Sequence, residues 1–93
     1  MTNTTAEILD RLSAANPEAL TLDGMDKALV GIGGPFNQVL AIYDRAVLVV
    51  ILRHGGFTEE EADEYINVNV SGAYVGKQTP IIAEFFTRNE NTL

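Results

Sequence analysis

The sequence predicts an α+β domain in which a β-hairpin packs against two or three helices, with oligomerisation completing the core. Three observations carry this. Two β-compatible runs, Ala28-Leu29-Val30-Gly31-Ile32 and Gln38-Val39-Leu40-Ala41-Ile42-Tyr43, flank a glycine- and proline-containing loop. Cap residues followed by apolar faces precede and follow that hairpin. At 93 residues the chain is one domain, 1–93, and a chain of this length buries only about 60–65% of its unfolded surface, so one layer must carry the stability or a second copy must help.

Thr4-x-x-Glu7 has the form of a capping box, and Ile8, Leu9, Leu12 and Ala15 share one helical face until Asn16-Pro17 breaks the pattern, which predicts a helix over 5–15. Asp23-Gly24 marks a turn. The hairpin over 28–43 then turns through Gly33-Gly34-Pro35-Phe36-Asn37. Asp44 is placed to cap a helix over 45–54 that Gly55-Gly56 ends. Residues 46–52 are wholly apolar, so a buried strand stays open as the alternative. Phe57 as staple, Thr58 as N-cap and Glu61 as the closing residue predict the next helix, over 58–70, with Ala62, Tyr65, Ile66 and Val70 on its apolar face. Ser71-Gly72 ends it. Residues 73–76 read as an extended segment, 77–80 as a turn and 81–86 as a strand or docked tail, while the polar residues 87–93 are expected to fray.

Thirteen acids against six Lys and Arg leave a net charge of −7, which opposes binding to a nucleic-acid backbone. A small anion can still be held by one or two cations and backbone N–H groups. Without cysteine there is no disulfide, thiolate nucleophile or Cys-zinc site, and a reducing compartment is permitted. The first residues lack a basic region followed by an apolar stretch, and the longest apolar run is far short of the about 20 residues of a span, so no membrane contact and a cytoplasmic location are expected.

Leu22-Asp23-Gly24-Met25-Asp26-Lys27-Ala28, Gly31-x-Gly33, Tyr43-Asp44-Arg45, Glu60-Glu61-Ala62-x-Glu64-Tyr65 and Asn69-x-x-Gly72-Ala73-Tyr74-Val75-Gly76-x-x-Thr79-Pro80 together resemble a family of small uncharacterised bacterial and phage proteins. The resemblance spans about 22–82. It implies a fold and a phage-type setting but no chemistry. One departure stands out: the family's helix after Tyr-Asp carries charge, whereas residues 46–52 here are apolar, which implies a partner surface particular to this chain.

The familiar catalytic sets are incomplete. His54 is the single histidine and sits where it can cap a helix C-terminus. Asp23 and Asp26 are able to hold a hard cation or act as acid and base, but turn and cap chemistry explains them without help. Gly31-x-Gly33-Gly34 is followed by Pro35-Phe36-Asn37, not by a helix with Lys and Ser or Thr, so a hairpin loop explains it. Glu59-Glu60-Glu61 reads as a solvated helix start. Asn69, in the apolar stripe, must find partners there, as a structural clamp on 72–74 or as a ligand contact. With Tyr43, Tyr74, Arg45, Lys77 and Thr79 it makes the expected ligand-binding set: aromatic platforms for a purine, cations for phosphate, hydroxyl and amide for polar edges. The expectation is a homo-oligomer, touching through the apolar helix near Val49, that has no catalytic activity, metal or cofactor and sequesters a nucleotide immune signal of the cyclic ADP-ribose or cyclic dinucleotide kind. The alternatives are a structural or interaction protein, an acidic inhibitor of a host protein, and a metal-dependent phosphodiesterase using Asp23 or Asp26.

Overall fold

A computed structural model describes residues 4–71 and 76–86. The fold is α+β: three helices and one three-stranded mixed sheet. Helix α1 (Thr4–Ala15) is followed by a 3-10 turn (Asp26–Ala28), strands β1 (Leu29–Gly33) and β2 (Leu40–Asp44), helices α2 (Arg45–His54) and α3 (Glu59–Tyr65), a π-helical continuation (Ile66–Ser71) and strand β3 (Ile81–Ala83). Sheet order is β1-β2-β3, antiparallel across the hairpin and parallel between β2 and β3.

The hairpin expected over 28–43 is present, with two differences. The connection is longer, 34–39, and a bulge lies between Leu29 and Gly31, where the extra residue, Val30, is left half-exposed. Across the ladder Leu29 faces Tyr43, and both are buried. On the far side β3 sets Ile82 opposite Tyr43, so β2 is the central strand and its inward side is the middle of the core.

Residues 45–54 form a helix, not a strand. The Asp44 side chain accepts a hydrogen bond from the Ala46 N–H at 2.9 Å, and Gly55 donates to carbonyls of the last turn. These end conditions decide a run whose periodicity is silent. Leu48 and Leu52, one turn apart, point into the core, while Val50 points out. The start of α3 is the predicted capping box: Glu61 N–H donates to Thr58 Oγ1 at 3.1 Å, and Thr58 N–H donates to Glu61 Oε1 at 2.8 Å. Phe57 meets Tyr65 edge to face at 5.5 Å. The helix expected to run to residue 70 changes character after Tyr65, widening into π geometry through Ser71. Such segments cluster at functional sites.

The core gathers Leu12 of α1, Ala28 of the 3-10 turn, Leu29, Ala41 and Tyr43 of the sheet, Leu48 and Leu52 of α2, and Ala62 and Ile66. α1 lies against β1, and α2 against β2 and α3. Among the described residues no helix is long and apolar enough to cross a membrane. The extended segment expected over 73–76 and the tail 87–93 fall largely or wholly outside the described residues.

Candidate functional site

Three chain segments converge below the end of the π-helical stretch. Asn16, just after α1, donates from Nδ2 to the Val39 carbonyl at 2.8 Å and to Gln78 Oε1 at 2.7 Å, and Leu20 N–H donates to the Gln78 carbonyl at 3.1 Å. These bonds tie the segment after α1 to the turn at 76–79. That turn closes on itself, because both the N–H and the hydroxyl of Thr79 donate to the Gly76 carbonyl, at 3.2 and 2.7 Å, and Gly76 has a φ of +112° that a side chain would resist. Between the two segments and the π-helical residues lies a cleft of about 240 Å³, walled by Leu20, Leu22, Val70 and Pro80, with Thr21, Asn69 and Thr79 as its polar groups.

The expected ligand-binding set is only partly assembled here. Asn69 and Thr79 share the cleft. Lys77 stands in the same turn, exposed, two residues before Thr79. Asn69 is exposed, not sunk in an apolar stripe, because the widened π turn rotates it off the face that Ala62 and Ile66 bury. Its amide forms no hydrogen bond among the described residues. Arg45 is elsewhere: its guanidinium donates to Asn67 Oδ1 at 2.8 Å and lies 3.6 Å from an Asp63 carboxylate oxygen, joining the start of α2 to the end of α3. Tyr74 lies outside the described residues.

Tyr43 requires a correction. It is fully buried, and its hydroxyl accepts the Leu22 N–H at 2.8 Å from behind the cleft wall. A ring with no exposed face cannot stack a base, so Tyr43 supports the cleft without touching its contents. Burial pushes its phenol above the ordinary value of 10.0; the Leu22 hydrogen bond opposes this, and the charges of Asp26 and Asp23 add to it. Those two carboxylates are exposed beside the 3-10 turn, and among the described residues no group of three or more acids and histidines is placed to hold a metal.

Sequence reasoning missed Asn16 and Gln78. In the sequence Asn16-Pro17 marks the end of a helix, and nothing local announces that the Asn16 amide bridges two segments distant in the chain. Comparison with known protein families, characterised proteins and solved structures finds no match.

Proposed function

We propose that this chain is a non-catalytic binding protein for a small nucleotide-type ligand, held in the Asn69–Thr79 cleft. The observation that carries the reading is Asn69, whose two donors and one acceptor have no partner among the described residues and stand at the rim of a cleft with apolar walls. At about 240 Å³ the cleft is smaller than the roughly 300–1,000 Å³ of pockets that enclose a whole ligand. It takes one ring system between Leu20, Leu22 and Pro80, with the amide and hydroxyls reading polar edges. The phosphates remain outside, in reach of a cation such as Lys77. In an acidic chain that resembles phage proteins, this chemistry suits sequestration of a nucleotide immune signal, of the cyclic ADP-ribose or cyclic dinucleotide class.

A thermal-shift series with ADP-ribose, cyclic ADP-ribose and a cyclic dinucleotide tests this. Ligand at a hundredfold excess over Kd stabilises by about 2.7 kcal/mol, which for a domain of this size raises Tm by on the order of 10 °C. Asn69→Ala removes the shift and leaves the ligand-free Tm within about 2 °C, since the exposed amide makes no bond among the described residues. No shift with any of the three at about 1 mM, or an equal shift in Asn69→Ala, contradicts the proposal. A second reading, a protein-interaction domain, is favoured by Phe36, which is 99% exposed at the hairpin tip in a left-handed conformation with φ +56°. A stoichiometric protein partner lost on Phe36→Ser supports that reading instead.

A further inference from the structure

A shallow trough crosses α2 and α3 and shares only Asn69 with the cleft. It starts beside the 3-10 turn, where Lys27, Val47, Val50 and His54 line a hollow of about 440 Å³. It continues over Val50, Arg53, His54 and Phe57, and ends among Phe57, Glu61, Glu64, Tyr65, Val68 and Asn69. Val50 and His54 belong to the first two hollows and Phe57 to the last two, which makes them one surface. Its floor is apolar yet open to water: Val50 is 51% exposed, Tyr65 38% and Val68 63%.

The charges along the trough are sorted by sign. Lys27 and Arg53 mark one end, with Asp26 as the acid among them; Glu61 and Glu64 mark the other, with no cation among its lining residues. Lys27, Arg53 and Glu64 take part in no ion pair among the described residues. A surface basic at one end, apolar in the middle and acidic at the other is complementary to itself when turned by a half rotation. An acidic partner would match one end and meet repulsion at the other, and a basic partner the reverse.

We propose that this trough is the contact between two copies of the chain, related by a two-fold axis near Phe57. Each copy's Arg53 and Lys27 then lie toward the other's Glu64 and Glu61, and the exposed valines and Tyr65 are buried between them. The expected contact residue shifts by one position, from the partly inward Val49 to the outward Val50. This surface meets the ligand cleft only at Asn69, and Val50, Arg53 and Glu64 do not line the cleft, so either proposal can fail alone.

Light scattering on a sizing column at about 100 µM decides it. The wild type elutes at twice the 10.1 kDa chain mass. Val50→Glu elutes at the chain mass with an unchanged circular dichroism spectrum, since that side chain is outside the core. Arg53→Glu and Glu64→Lys each weaken self-association by about tenfold or more, because each turns two attractive contacts into repulsive ones. Mixed together, these two variants form a heterodimer, in which both contacts are again between opposite charges. A monomeric wild type, a dimeric Val50→Glu, or a mixture that associates no better than its components overturns the proposal.

Discussion

Replacing Tyr43 by phenylalanine removes one oxygen atom from the centre of the molecule and keeps the ring. The side chain is fully buried, and its hydroxyl is the acceptor for the Leu22 N–H at 2.8 Å. Because the ring stays, no large cavity forms, and the loss is the unpaired N–H, worth about 1–2 kcal/mol. For a domain of 60–100 residues each kcal/mol lowers Tm by about 4–8 °C, so Tyr43→Phe is expected to melt roughly 5–15 °C lower by circular dichroism, with an unchanged denaturant slope. Titration adds a second signature. The phenol is pushed above 10.0 in the folded state, chiefly by burial, so the unfolded chain loses this proton first. The stabilising contribution is full below the unfolded value and is lost as pH rises from about 10 through the folded value. The wild type therefore loses stability more steeply than Tyr43→Phe above pH 10. A variant melting within about 2 °C of the wild type, with the same alkaline slope, refutes the assignment of Tyr43 as the support of the cleft wall.

Two further substitutions probe local devices. Thr58→Ala removes the acceptor for Glu61 N–H and is expected to cost about 1 kcal/mol, read as a Tm lower by roughly 4–8 °C; glycine at the same position costs only a few tenths, so the two variants should separate in a melt. Gly34→Ala builds a Cβ 3.0 Å from the Gln38 backbone carbonyl, too close to backbone that closes the hairpin turn; a denaturation midpoint below the wild type is expected, and an equal or higher one contradicts the described turn.

Much of the fold is legible in short-range signals. Thr58 and Glu61, and Asp44 ahead of an apolar run, announce helix starts through bonds made within three residues, and the structure has them. Asp23-Gly24 likewise marks a turn, with φ +77° at the glycine. What depends on distant partners is not legible. The parallel pairing of β3 with β2 arises after a crossover of two helices, and nothing in Ile81-Ile82-Ala83 states its register. The bulge at Val30 and the π-helical widening after Tyr65 are one-residue adjustments that periodicity does not register. The latter turns Asn69 outward.

The candidate site divides the same way. Tyr43 alternates with Ala41 along β2, and that period of two marks both as inward. The signal was present, but an aromatic beside Asp44-Arg45 reads as readily for a ligand as for a core. Arg45 was open to neither test, since Asn67 and Asp63 reach it only through the packing of α3 on α2. Asn69 and Thr79 meet because the Asn16–Gln78 bond folds the 76–79 turn against the segment after α1, a contact spanning 62 positions of sequence.

The central claim is that the cleft between residues 20–22, 69–70 and 79–80 takes a nucleotide-type ligand, and amide NMR during a titration with cyclic ADP-ribose, then with a cyclic dinucleotide, tests it most directly. The account predicts saturable shifts, for one of the two, that are largest at the Asn69 side-chain amide and at the backbone amides of Leu22, Val70 and Thr79, while Val47, Val50 and His54 on α2 stay in place. Shifts confined to the α2 face, or none up to about 1 mM of either nucleotide, contradict it.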